Sequence, residues 1–167
     1  MPNIAYSASQ KRKRRSSVLT ILSIFLILLI DQLSKAAISS KLSPGESIPI
    51  IKDILHITFV KNTGAAFGLF KNSILFFIAV SIIAVAVIAR MLLKAIKNDK
   101  FFNSLILNIG LIFIMSGAIG NLIDRVSMRY VIDFIDLRVW PVFNLADSFI
   151  TIGTTLLVIS FAKRQKA

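Results

Sequence analysis

Phe143–Phe161 is an apolar stretch that carries one charge, Asp147. No cation lies near it in sequence. An ionisable side chain in such a stretch is costly and is by default a functional candidate. Other polar groups gather at the same level. Asp31 lies 13 residues after Val18, about 20 Å along a helix, and Lys35 follows one turn later on the same face. Asn121 and Asp124 close a third apolar stretch. Asn144 and Asp147, three apart on one face, open the fourth. Asp31 and Lys35 also suit a structural i,i+4 pair, and Asn121 and Asn144 suit interhelical hydrogen bonding. Both readings stand beside the functional one.

Two carboxylates sharing one proton can activate water and protonate a leaving group. That chemistry needs neither metal nor thiol. The chain has no cysteine and a single histidine, His56. Disulfides, a cysteine nucleophile and a zinc site of two or three histidines are excluded, and neither metal nor cofactor is expected. His56 reads as a strand residue facing water rather than as a base. Asp124, Asp133 and Asp136 are the possible partners of Asp147, and residue reasoning alone does not choose among them. The rival chemistry is serine–lysine catalysis with Lys35. The adjacent Ser34 points about 100° away from it on a helix, so a serine elsewhere would have to serve.

These side chains need elements that hold them in one layer. Of the 167 residues, 56% are hydrophobic and 17% charged, with a mean hydropathy of +0.79. A water-soluble globule of this size cannot bury so much apolar surface. Residues 18–37, 73–93, 101–123 and 143–161 can each cross an apolar core of about 30 Å, which takes about 20 helical residues. None alternates as a barrel strand does, and only helices or closed barrels span a membrane. The expected fold is an all-α membrane protein of four transmembrane helices, one integral membrane domain over residues 1–167. Gly110, Gly117 and Gly120 read as positions of close helix packing.

Charge sets the direction. Lys11, Arg12, Lys13, Arg14 and Arg15 precede the first helix. Arg90, Lys94, Lys97 and Lys100 lie at the next turn on that side, and Lys163, Arg164 and Lys166 follow the fourth helix, with Asp99 alone opposing. By the positive-inside rule both termini are cytoplasmic. The formal charge of +12 is then an orientation signal and a grip on anionic lipid, not a nucleic-acid footprint. The basic tail, 1–17, is expected to be disordered to about Arg15. An uncleaved first helix is favoured over a signal peptide cut near Ser34-Lys35-Ala36.

The external segments are about 38–72 and 124–142. In the first, Ser43-Pro44-Gly45-Glu46 is a turn. Leu55, Ile57 and Phe59 alternate with polar residues as in a half-buried strand. Asn62-Thr63-Gly64 turns again before the small, apolar 65–70. In the second, Trp140 suits the interface and Pro141 a helix start.

Five blocks resemble, in order, those of the bacterial lipoprotein signal peptidases, the type II signal peptidases. They are Asp31-Gln-Leu-Ser-Lys35, Asn62-Thr-Gly-Ala-Ala-Phe67, Gly117-Ala-Ile-Gly-Asn-Leu-Ile-Asp-Arg125, Val131-Ile-Asp-Phe134 and Phe143-Asn-Leu-Ala-Asp147. The resemblance runs from about Val18 to Phe161. It implies an aspartic endopeptidase of the bacterial plasma membrane. Such an enzyme removes the signal peptide from diacylglyceryl-modified prolipoproteins by cutting before the lipid-modified cysteine. It implies catalytic aspartates at Asp133 and Asp147, with Asp31, Lys35, Asn62, Asn121, Arg125 and Asn144 in support. It also implies an external β-sheet cradle in 38–72, a flexible lid in 124–142 and an active site at the external leaflet. Prolipoprotein and membrane phospholipid are the expected partners, nucleic acid is not, and a monomer is expected. Two residues depart from the pattern. Ser116 stands where a glycine is usual, and Arg129 stands where a glycine is expected between Arg125 and Asp133.

The alternative is a small ion- or proton-coupled transporter using Asp31, Lys35 and Asp147. It needs a polar route through the inner half, where helices two and three offer only Ser81, Arg90, Asn103, Ser104 and Asn108. The topology has its own test. Single cysteines at Ser7, Glu46 and Asn98, probed in intact cells with an impermeant thiol reagent, should label at Glu46 alone. Labelling at Ser7 or Asn98 would reverse the orientation.

Overall fold

The computed structural model describes residues 4–64, 73–98 and 104–164. Helix α1 covers Ile4–Lys41, α2 Ile74–Lys97, α3 Leu105–Met128 and α4 Leu145–Arg164; strands β1, β2 and β3 cover Ser47–Ile51, Leu55–Asn62 and Val131–Asp136. All four helices are long and apolar enough to cross a membrane. The strands form one antiparallel sheet in the order β1-β2-β3.

Helix α3 is the axis of the bundle. Its buried face includes Leu111, Ile112, Ser116, Gly117, Gly120 and Asn121. Ile27 of α1 and Ile88 and Leu92 of α2 pack against Leu111 and Ile112. On the other side α4 crosses at backbone contact. A Cβ on Gly110 would lie 2.8 Å from the Gly153 carbonyl oxygen, and one on Gly153 2.6 Å from that of Gly110. Gly117 meets the Ala146 carbonyl in the same way. Between apolar helices in lipid, such close van der Waals approach replaces the hydrophobic drive. A second core of Leu42, Phe59, Ile132 and Phe134 joins the sheet to the end of the bundle.

Several boundaries differ from expectation. The basic tail is helical from Ile4, not disordered to Arg15. Lysine and arginine are good helix formers, and a helix nucleated by the span propagates at little cost. Ser16 and Ser17 bond back to the Arg12 and Lys13 carbonyls. Helix α3 runs on to Met128, and α4 begins at Leu145, beyond Pro141. The sheet also takes its third strand from the second external segment. Asp133 and Asp136 interrupt the alternation of β3, which is buried along most of both faces; a strand covered on both sides has no period of two to read. The expected lid thus shrinks to the loop between β3 and α4. The apolar 65–70, including the last three residues of the Asn62–Phe67 block, lies outside the described residues, as do Asp99, Lys100 and the first residues expected in the third helix.

Arg129 explains one departure in the sequence. It caps α3 in the left-handed conformation, with φ 66° and its N–H on the Arg125 carbonyl at 3.2 Å. Glycine takes that conformation without steric cost. Arg129→Gly should raise stability by about 0.5–1 kcal/mol after the entropy glycine adds to the unfolded chain. Gly153→Ala should lower it by about 1–3 kcal/mol through overpacking against the Gly110 backbone. Melting temperatures in detergent check both, and shifts of the opposite signs would refute the two assignments.

Candidate active site

Lys35 is 2% exposed. Its ammonium has three hydrogens and three acceptors: Asp31 Oδ2 at 2.9 Å, Asp124 Oδ2 at 2.9 Å and Asn121 Oδ1 at 3.0 Å. An ammonium only donates, so the Asn121 atom facing it is the carbonyl oxygen. The Asn121 amide nitrogen therefore points away, and it donates to Asp147 Oδ1 at 2.8 Å. Gln32 Nε2 ties the two carboxylates around Lys35, donating to Asp31 Oδ2 and to Asp124 Oδ1, each at 3.1 Å. Gly120 leaves room for this cluster; a Cβ there would stand 2.5 Å from Asp31 Oδ2.

Asn144 starts α4. Its Oδ1 accepts the Asp147 N–H at 2.9 Å, and Asp147 Oδ2 accepts the Asn144 N–H at 3.3 Å. This is a reciprocal capping box with Asn and Asp in the two roles. Asp31 Oδ1 takes the next orphan donor, the Ala146 N–H, at 3.0 Å. A helix end in an apolar layer needs such partners. The Asn144 amide nitrogen reaches sideways to Asn121 Oδ1 at 3.1 Å and to Asp133 Oδ1 at 2.7 Å. One asparagine thus contacts both aspartates.

Asp133 is delivered by β3, opposite Val60 of β2. Asn62, one pleat further along β2, donates from Nδ2 to Asp133 Oδ2 at 2.8 Å, while its Oδ1 holds the Gly64 N–H at 2.9 Å. The loop after β3 returns to it: the Phe143 carbonyl accepts the Ile135 N–H at 2.7 Å, and Phe143 N–H donates to the Ile135 carbonyl at 3.1 Å. That closure sets the N-terminus of α4 beside Asp133. Burial, then the charge of Asp147, raises the Asp133 carboxyl from its ordinary 3.8 to about 7, against the amides of Asn62 and Asn144 and the charge of Lys35.

Both aspartates line a cleft of about 490 Å³ at the sheet end of the bundle, walled by Asn62, Phe77, Arg125, Trp140, Phe143 and Thr151 among others. Arg125 stands with its guanidinium 5.2 Å from the centre of the Phe77 ring and donates to the Asn121 carbonyl at 3.3 Å.

The structure therefore joins Asp31, Lys35, Asn62, Asn121, Asn144, Asp133 and Asp147 in one hydrogen-bond network, with Arg125 on the wall of the same cleft. The other carboxylates are engaged elsewhere. Asp124 holds Lys35, and Asp136 accepts from Thr58 Oγ1 at 2.8 Å and pairs with Arg138 at 3.0 Å. Ser34 gives its hydroxyl to the Asp31 carbonyl at 2.7 Å, and every donor of Lys35 is taken, so no serine is activated by it. His56 sits on β2 with Nδ1 3.1 Å from Ser47 Oγ. Sequence reasoning missed Gln32 and the supporting role of Asp124. The signal for Asp124 was its place three residues after Asn121, on the same face of α3.

The family model for signal peptidase II matches residues 23–163. The chain belongs to the signal peptidase II family. It is 43% identical over 143 residues to the lipoprotein signal peptidase of Halothermothrix orenii, covering 86% of this chain and 94% of that one. It is 45% identical over 132 residues to that of Moorella thermoacetica, covering 79% and 85%. Its fold is similar to a bacterial membrane enzyme solved by the in meso method at 2.3 Å resolution, with TM-score 0.79 and 32% identity over 88% of this chain and 89% of that one. Family and fold make it a multi-pass membrane peptidase, and they give the transporter alternative no support.

The raised carboxyl has a measurable consequence. Between about 3.8 and 7 the folded state keeps on Asp133 a proton that the unfolded chain has released. The stability this lends is full below 3.8, declines as pH rises, and is gone above about 7. Asp133→Asn removes the titration. Melting temperatures of variant and wild type, followed from about pH 4 to 8, should diverge with rising pH in favour of the variant. Parallel curves would show that Asp133 titrates normally.

Proposed function

We propose that the chain removes the signal peptide from diacylglyceryl-modified prolipoproteins, cutting before the lipid-modified cysteine, with Asp133 and Asp147 as the catalytic dyad. The observation that carries the reading is the Asn144 side chain, bonded to both aspartates where they face one cleft. Asp147 is the base. It lies in the first turn of α4, where its carboxylate accepts from the Asn121 amide and from the Asn144 N–H. Asp133 holds the shared proton, buried and close to a second anion. Asp147 takes a proton from water, and the oxygen bonds to the scissile carbonyl carbon. Asp133 hydrogen-bonds the carbonyl oxygen as it gains charge. The proton on Asp147 then passes to the leaving nitrogen as the carbon–nitrogen bond breaks. Asn121 and Asn144 are positioning residues, oriented by Lys35.

The charge asymmetry supports cytoplasmic termini and a cleft at the external leaflet of the bacterial plasma membrane. That is the depth at which a diacylglyceryl group would hold the cysteine of its own chain. Phe77, Trp140 and Phe143 offer apolar walls for it. A single chain holds the whole network, which supports a monomer.

The test is cleavage per folded molecule in detergent, with diacylglyceryl-modified and unmodified prolipoprotein. Only the modified substrate should be cut. Asp133→Asn and Asp147→Asn should each lower the rate by about 100-fold or more while still binding substrate. Asp31→Asn leaves Lys35 paired with Asp124, so it should lower the melting temperature and keep residual turnover. If Asp136→Asn is inactive and Asp133→Asn is not, the partner of Asp147 is wrong.

A further inference from the structure

Helix α1 has 38 residues, about 57 Å at 1.5 Å per residue. An apolar core takes about 30 Å of that. The surplus lies chiefly at the N-terminal end, where Lys11, Arg14 and Arg15 fall on one face at i, i+3 and i+4. The same face continues one turn later with Val18 and Leu19, which are 48% and 41% exposed. The opposite face carries Ser16 and Thr20, buried toward the bundle. The stripe is exposed on the side away from Ser16 and Thr20, and within it Arg15 also has a partner in the chain. It lines a surface groove of about 290 Å³.

The chemistry changes along the groove as it does along a phospholipid. Val18 opens the apolar run. Arg14 and Arg15 lie about 5 Å below it and Lys11 about 10 Å below it along the axis, the depth of the headgroup layer. Two guanidinium forks and an ammonium suit phosphate oxygens, and the methylene stems of these residues lie along the helix. We propose that this end of α1 binds one anionic phospholipid, its phosphodiester against Lys11, Arg14 and Arg15 and an acyl chain against Val18 and Leu19. The site sits at the end of the bundle away from the cleft. The proposal rests on the chain lying in a membrane, not on which side its termini face, and it is independent of the dyad.

Purified protein in a neutral detergent tests it, with phosphatidylglycerol, phosphatidylcholine or glycerophosphoglycerol added at equal concentration. Phosphatidylglycerol should raise the melting temperature by about 5 °C more than the other two at saturation, and native mass spectrometry should retain one copy. Lys11→Gln, Arg14→Gln and Arg15→Gln combined should abolish that difference. Lys94→Gln with Lys97→Gln, which removes charge from another turn at the same end of the bundle, should leave it intact. Should the triple variant not fold, Lys11→Gln and Arg14→Gln singly must each reduce the difference. Equal shifts with phosphatidylcholine would overturn the proposal. So would an equal effect of the chain-free headgroup, or equal loss in the Lys94 and Lys97 variant. Cleavage in the same samples reports on the dyad separately, since failure of the lipid site leaves turnover unchanged and failure of the peptidase reading leaves the lipid shift unchanged.

Discussion

A buried ammonium holds this site together. Lys35 is buried among apolar helices, so its position is tolerable only while all three of its hydrogens have acceptors. Two of those acceptors are carboxylates, one on α1 and one on α3, and the third is the side-chain carbonyl of Asn121. Meeting this demand fixes the rotation of α1 against α3. It also fixes the amide of Asn121, whose oxygen faces the ammonium and whose nitrogen faces Asp147. Breaking such a buried pair by removing one partner costs about 3–5 kcal/mol, so the orientation of the dyad's support is backed by much of a domain's net stability. The charge of Lys35, which is not among the residues lining the cleft, thereby sets which end of Asn121 faces Asp147.

The same economy appears at the start of α4. Every helix leaves its first N–H groups without partners, and in a bilayer none can be left so. Asn144 and Asp31 meet that need, and Asp147 closes the capping box. The aspartate assigned as base is thus also a helix-cap residue. Its carboxylate accepts from the Asn144 N–H and from the Asn121 amide at that helix end. Asp133 belongs to no helix, although Asn144 at the start of α4 reaches it sideways. It comes from a strand buried on both faces and is pushed toward neutrality by that burial and by Asp147. Two chemically identical side chains are thus held by different scaffolds, one by a helix terminus and the other by a sheet.

Much of this was legible from residue types and depth. Asp31, Lys35, Asn121, Asn144 and Asp147 stood out because they are polar in apolar stretches, and their spacing placed them in one layer. Asp133 did not stand out by that criterion. It lies in an external segment among other aspartates, and only the likeness of its block to a known family singled it out. The register of β2 against β3 brings it to Asn62, and the backbone pairing of Phe143 with Ile135 brings it to Asn144. Neither pairing leaves a local pattern. The strand was missed for the same reason, since burial on both faces erases alternation. The helical basic tail was missed because charge density was read as disorder, although its residues favour helix once a span has nucleated it.

Depth explains why the network is closed on one side and open on the other. Lys35, Asp31 and Asp124 are each 2% exposed or less, and their task is to stay put. The dyad proposed above would need water as a reactant, so it could not share that enclosure. It lies where the bundle ends and the sheet begins, with Asp133 held from the sheet side by Asn62 and Asp147 from the bundle side by Asn121. A dyad deeper along α4 would lack water, and one further out would lose the low dielectric that makes two close anions share a proton. The sheet supplies Asp133 and the bundle supplies Asp147, so the two carboxyls meet at the junction between them.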